Sequence, residues 1–140
     1  MKARDLMTPD PAVCRGETCV MDVAQLMCKA DCGVIPVVDA AGKPIGMVTD
    51  RDITCRVVAV GADPREALAR DCMTEGPITV GLDVPVEECV ELLEEHQLRR
   101  LVVVDEEGCC CGIIAQADIA RDGSESQTAE LVQKVSERRS

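Results

Sequence analysis

The stretch VVDAAGKPIGMVTDRDI, residues 37–53, decides how the chain folds. It opens on an apolar β-branched run, turns at Asp39-Ala40-Ala41-Gly42, and returns through a second apolar segment to Thr49-Asp50-Arg51-Asp52. That order reads as strand, turn, strand and the start of a helix. The stretch recurs. A shift of 103 − 37 = 66 residues carries Val37-Val38-Asp39 to Val103-Val104-Asp105, Gly42 to Gly108, Gly46 to Gly112, and Asp52-Ile53 to Asp118-Ile119. The same shift carries Met7-Thr8 to Met73-Thr74, Pro11 to Pro77, Val20 to Val86 and Leu26 to Leu92, with no gap. A two-copy repeat this long exceeds a solenoid unit, and each copy alone is near the size at which one core becomes marginal. The expectation is a pseudo-twofold pair of small units that pack together.

Outward from that centre, each copy reads strand, helix, strand, strand, helix. Residues 12–14 and 78–80 are short strands. Apolar residues at 20, 23, 24 and 27, and again at 86, 89, 90 and 93, follow the spacing of an amphipathic helix, with Thr18 and Asp83 as expected N-caps. Residues 34–38 and 101–104 are buried strands, and third strands ending at Thr49 and Ala115 lead into second helices. Gly61 ends the first of these, and Asp63-Pro64 reads as the start of a linker helix. Residues 128–137 suggest a last amphipathic helix using Leu131, Val132 and Val135. The fold class is α/β (α+β), with a first unit at 1–62, a linker helix at 63–72, a second unit at 73–123 and a tail at 124–140.

Composition narrows the function. The 140 residues hold 15 Lys and Arg against 26 Asp and Glu, a net charge of −11, which argues against nucleic-acid and anionic-membrane surfaces. With 46% hydrophobic and 29% charged residues the chain reads as globular, and apolar runs such as 101–104 are too short to span a bilayer. The N-terminus runs straight into folded-looking sequence without a signal-peptide pattern. There is no Phe, Tyr or Trp, which excludes base stacking on aromatic rings. Ten cysteines stand at 14, 19, 28, 32, 55, 72, 89, 109, 110 and 111, none spaced C-x-x-C, and His96 is the only histidine. They read as reduced core thiols in a cytoplasmic protein, with no metal site. Two groups stand apart: the run Cys109-Cys110-Cys111, and Cys28/Cys32, spaced i, i+4 on one helix face. Glu87, Glu88, Glu91, Glu94 and Glu95 form a solvated face. His96 lacks a nucleophile or paired carboxylate, so no catalytic residues are assigned and no enzyme is expected.

Chemistry concentrates at Gly46-Met47-Val48-Thr49-Asp50-Arg51-Asp52. Glycine permits close backbone approach. Thr49 offers a hydroxyl beside the free N–H groups of a helix start, which suits phosphate or ribose oxygens. Asp52 offers a carboxylate able to accept from two vicinal hydroxyls. The same T-x-x-D is also an ordinary capping arrangement, and both readings stand.

The phrases L-M-T-P (6–9), C-G-V-I-P-V-V-D (32–39), G-M-V-T-D-R-D-I (46–53) and R-R-L-V-V-V-D (99–105) make residues 2–121 resemble a tandem pair of cystathionine β-synthase (CBS) domains. The resemblance implies two β-α-β-β-α units packed through their sheets, two related clefts, and dimerisation of free-standing pairs. It also implies sensing of adenosyl ligands: AMP, ADP, ATP or S-adenosylmethionine, sometimes NAD. The family's ligand motif falls on Gly46, Thr49 and Asp52, with Val48 and Arg51 beside them. The other copy would complete that cleft with Ile78-Thr79 at the adenine and Arg99-Arg100 at the phosphate. The second cleft would use Val13, Val34 and Asp118 and is weaker, because Ala115 replaces the hydroxyl and Ala12-Val13 and Gly33-Val34 carry no basic group. The function so implied is a cytoplasmic, homodimeric regulatory module that passes its ligand state to a partner protein. It needs no cofactor beyond the regulatory ligand, and binds neither nucleic acid nor membrane. A thiol-based redox or metal sensor, or a ligand-free interaction domain, are the alternatives on the same scaffold.

Overall fold

The computed structural model describes residues 1–122. In chain order the elements are α1 (Ala3–Leu6), β1 (Thr8–Pro9), β2 (Cys14–Arg15), α2 (Val20–Ala30), β3 (Val34–Val38), β4 (Pro44–Thr49) and α3 (Asp50–Ile53). A π-helical turn (Thr54–Val58) continues α3. Then follow α4 (Ala69–Cys72), β5 (Thr74–Glu75), β6 (Thr79–Gly81), α5 (Val86–Glu95), β7 (Arg100–Val104), β8 (Cys110–Ala115) and α6 (Gln116–Asp122). The expected tail helix at 128–137 lies outside the described residues.

The elements form a mixed α+β fold of two compact units. One comprises Pro11–Pro77 with Gly108–Cys110, the other Met1–Asp10, Ile78–Glu107 and, of the described residues after these, 111–122. The first unit's sheet runs β2-β3-β4-β5, and the second's β6-β7-β8-β1. In each the first pair is parallel and the last strand joins antiparallel, so the two sheets follow one plan. The closing strand of each sheet comes from the Met-Thr segment near the start of the other repeat: Gly46 pairs with Glu75, and Gly112 with Pro9.

Glycine is what admits those segments. A Cβ at Gly46 would lie 2.6 Å from Met73 Sδ and 2.9 Å from the Thr74 carbonyl oxygen, and one at Gly112 would collide with Met7 Sδ. Each unit then has its own aliphatic core. Val20, Val23, Ile35, Val37, Val48 and Val57 fill the first, while Leu93, Leu101, Val103, Ile114 and Ile119 fill the second. With no aromatic rings, burial of these branched side chains, about 1.5–3 kcal/mol each, is the main drive to fold.

The helices occupy the expected stretches, but Thr18 and Asp83 do not cap them. The N-caps are Cys19 and Pro85, and neither makes a side-chain cap bond. Distant carbonyls do the capping: Val20 and Met21 donate to Ala67 and Pro64, and Val86 donates to Met1. Thr18 Oγ1 accepts instead from the Arg15 N–H (3.0 Å), and the Asp83 carboxylate pairs with Arg4 (2.8 Å). The linker helix expected at 63–72 is also replaced. Asp63 Oδ1 accepts from the Arg65 N–H (2.9 Å), closing a turn, and only α4 is helical. Gly61 does end the preceding helical run, with φ +77° and the Ala62 N–H donating to Val57. The turns after β3 and β7 form as expected, with Asp39 accepting from Ala41 and Lys43 and Asp105 from Glu107.

Candidate functional site

The β4–α3 junction brings Gly46, Val48, Thr49, Arg51 and Asp52 together in the first unit. Thr49 pairs with Val34 across the sheet, and the next amide, of Asp50, donates to the Gly33 carbonyl at 3.0 Å. The chain then turns into α3 through a reciprocal cap. The Asp52 N–H donates to Thr49 Oγ1 at 3.1 Å, and the Thr49 N–H donates to Asp52 Oδ2 at 2.9 Å. The capping reading of T-x-x-D is therefore realised, and it leaves chemistry over. The Thr49 hydroxyl accepts in the cap, so its proton remains available to donate. Asp52 uses one oxygen, and Oδ1 makes no hydrogen bond among the described residues. A carboxylate offers about four lone-pair positions, so Asp52 is held in place and still able to accept.

The neighbours divide by burial. Val48 is fully buried in the core, so only its backbone is available at the junction. Arg51 is exposed. The missing side chain at Gly46 makes room for Met73 and Thr74. Sequence reasoning passed over Arg56, whose guanidinium donates to the carbonyls of Cys72 (3.0 Å) and Met73 (3.2 Å) and ties the β5 segment to the helical turn after α3. Its only signal was an Arg one turn beyond Asp52.

Ile78, Thr79, Arg99 and Arg100 lie together in the second unit. Thr79 pairs with Val102, and the Ile78 carbonyl accepts from Val102, so the start of β7 lies beside β6. Ile78 is half-buried, Thr79 and Arg99 are exposed, and Arg100 is half-buried at the head of β7. Neither arginine has an ion-pair partner among the described residues, in a chain of net charge −11.

The second repeat's junction differs. The Ala115 N–H donates to Asp118 Oδ2 at 2.7 Å, half of the same cap, but no hydroxyl returns the bond. Asp118 is only 9% exposed, and Gln116 Nε2, two residues away in sequence, is buried without a hydrogen-bond partner. Of the other residues assigned to this cleft, Val13 is exposed and Val34 is buried in β3, both in the first unit.

The thiols depart from the core expectation. Cys14, Cys72 and Cys89 are buried, whereas Cys28, Cys32 and Cys55 are exposed. Burial, helped by the nearby Cys72, pushes the Cys14 thiol from 9.0 to about 11. Burial likewise raises Cys72, Cys89 and Cys111. Among the described residues no group of three or more His, Cys, Asp or Glu converges on a possible metal position. None of the described helices is long and apolar enough to cross a membrane.

The sequence profile of the CBS domain matches this chain twice, at residues 3–59 and 69–125. Hypoxic response protein 1 of Mycobacterium tuberculosis is 34% identical over 139 residues, 95% of this chain and 92% of that protein. The crystal structure of Hypoxic Response Protein I with two coordinated zinc ions has a TM-score of 0.78 at 32% identity, covering 87% of this chain and 98% of that one. CBSX2 of Arabidopsis thaliana in complex with AMP has a TM-score of 0.73 at 28% identity, covering 86% of this chain and 93% of that one. An uncharacterised protein of Methanopyrus kandleri is 38% identical over 116 residues, 83% of this chain; the chain spans 57% of that relative's length.

Proposed function

The chain belongs to the CBS domain family, and from that premise we propose that it is a regulatory module for an adenosyl ligand: AMP, ADP, ATP or S-adenosylmethionine. Gly46, Thr49 and Asp52 are its ligand motif. The observation that carries the reading is the Thr49–Asp52 cap, which fixes a hydroxyl and a carboxylate while leaving one proton donor and one carboxylate oxygen unused. The Thr49 hydroxyl donates to a phosphate or ribose oxygen, and Asp52 Oδ1 accepts from the ribose diol. Arg99 and Arg100 are assigned to the phosphate, Ile78 and Thr79 to the base. The AMP complex of CBSX2 supports the ligand class. The buried carboxylate of Asp118 and the missing hydroxyl at Ala115 favour one strong ligand per chain over two equal ones.

No reacting group is placed at the junction, so the role is sensing. The liganded state is read by a partner protein in the cytoplasm, and the module works as a homodimer. Val58 and Val60, 64% and 68% exposed beyond α3, supply apolar surface for such assembly. Titration calorimetry of the purified chain with AMP tests the reading. One tight site per chain supports it, and no binding of AMP, ADP, ATP or S-adenosylmethionine removes it.

A further inference from the structure

Helix α2 ends in a left-handed residue, Asp31 (φ 52°, ψ 53°), with a cysteine on either side of the break. The Asp31 N–H donates to Cys28 and the Cys32 N–H to Met27 (3.0 Å), the two bonds of a Schellman motif. Helix α5 ends the same way: Gln97 has φ 54°, its N–H donates to Glu94, and the Leu98 N–H donates to Leu93 (2.9 Å). There the residue after the break, Leu98, packs against its unit's core, as the motif normally requires. The first repeat gives up that anchor. Its equivalent, Cys32, is exposed, and so is Cys28, where the second repeat has Glu94. Both thiols line one groove with Asp31, Gly33, Asp50 and Thr54.

This exposed pair differs from the four thiols that burial perturbs. Cys14, Cys72, Cys89 and Cys111 are held protonated by burial, which slows their exchange chemistry. Among the described residues no third ligating side chain joins Cys28 and Cys32 to form a metal position, which leaves thiol–disulfide chemistry. We propose that Cys28 and Cys32 are a redox modification site that closes to an intramolecular disulfide with a low-molecular-weight disulfide such as oxidised glutathione. One protein thiolate attacks a glutathione sulfur, forming a mixed disulfide and expelling glutathione thiolate. The second attacks the protein sulfur of that mixed disulfide and expels the other glutathione. Two protein thiols lose two electrons and their protons; one glutathione disulfide becomes two thiols.

A disulfide needs its two Cβ atoms about 3.5–4.5 Å apart. The closure falls on Asp31 and Cys32, which lie beyond the last helical residue. It also pulls on Gly33, whose carbonyl accepts the Asp50 N–H beside the Thr49 cap. Closing the pair therefore loosens the start of α3, and, if the ligand reading holds, tunes that site.

The test uses the full chain, native, in glutathione redox buffer, then acid-quenched, alkylated and cut with trypsin. Lys29 lies between the two thiols, so the closed form keeps segments 16–29 and 30–51 linked, lighter than their sum by two hydrogens. Cys19 shares segment 16–29, but nine residues along α2 place it about 13 Å away. We expect the linked pair in the native chain and, in Cys28→Ser, only a glutathione adduct on Cys32. Free or separately modified thiols in the native chain, or a linked pair persisting in Cys28→Ser, overturn the proposal. Amide exchange at Asp50, measured without ligand, should quicken severalfold on closure. An unchanged rate in the closed form overturns the link to α3, whatever the ligand result.

Discussion

Replacing Gly46 by Ala asks whether the Met73–Thr74 segment is built into the first repeat's sheet. The new Cβ would lie 2.6 Å from Met73 Sδ, 3.0 Å from Met73 Cγ and 2.9 Å from the Thr74 carbonyl oxygen. Met73 can swing aside, but the carbonyl belongs to β5, which is in register with β4 through Gly46↔Glu75 and Met47↔Thr74. The backbone itself must move. Overpacking of this kind costs about 1–3 kcal/mol. At about 3 °C per kcal/mol for a chain of this size, Tm falls by about 3–9 °C. Calorimetry or far-ultraviolet circular dichroism must report it, because the chain has no aromatic fluorophore. Gly81→Ala is the control: the nearest atom to its new Cβ is Val84 Cγ2 at 4.0 Å, so its Tm should stay near that of the native chain. Adding Met73→Ala to Gly46→Ala should cost less than the sum of the two single changes, since one removes what the other collides with. If Gly46→Ala melts no earlier than Gly81→Ala, the packing described at this junction is wrong.

Asp52→Asn keeps an oxygen for the Thr49 N–H but removes the charge, so Tm should change little while adenosyl-ligand affinity falls. Losing one charge-assisted bond, about 1.5–3 kcal/mol, corresponds to about 10- to 150-fold by titration calorimetry; unchanged affinity would clear Asp52 of the role. Stability should also decline at alkaline pH. The native Cys14 thiol titrates near 11, above its unfolded value, so its contribution is complete below the unfolded pKa and is lost as pH rises through 11. Cys14→Val, the residue the second repeat has at Val80, should flatten that decline in Tm measured from pH 8 to 11. Light scattering should give about 30 kDa, twice the chain mass of 15.0 kDa, and a monomer at micromolar concentration would contradict the dimer.

What was legible in the sequence was what is local or repeated. The repeat is read by aligning the chain with itself at a shift of 66, while the turns at Gly42 and Gly108 and the amphipathic stripes of α2 and α5 each depend on residues within a few positions of one another. The helix starts were misread because the carbonyls that cap them come from Ala67, Pro64 and Met1, which no local motif announces. The packing demand at Gly46 is hidden for the same reason: the Met73 side chain that needs the space is 27 residues away (73 − 46). Thiol exposure was equally hidden, because a cysteine on an apolar-looking face packs inward only if the next element covers it. Cys28 and Cys32 have a groove above them instead. At the site itself, T-x-x-D carried two meanings at once. The cap takes Asp52 Oδ2 and a lone pair of the Thr49 hydroxyl, and the proposed ligand contacts take Asp52 Oδ1 and the hydroxyl proton.

The central claim, that this chain holds an adenosyl ligand, is tested most directly by counting adenine per chain. Without Phe, Tyr or Trp the protein absorbs almost nothing near 280 nm, so a bound adenine dominates its ultraviolet spectrum. The purified chain is incubated separately with AMP, ADP, ATP and S-adenosylmethionine, freed of unbound ligand, denatured, and its small-molecule fraction separated by chromatography. The account predicts about one adenine per chain for at least one of these, lost in Asp52→Asn. An adenine count near zero with all four, from folded protein, would contradict it.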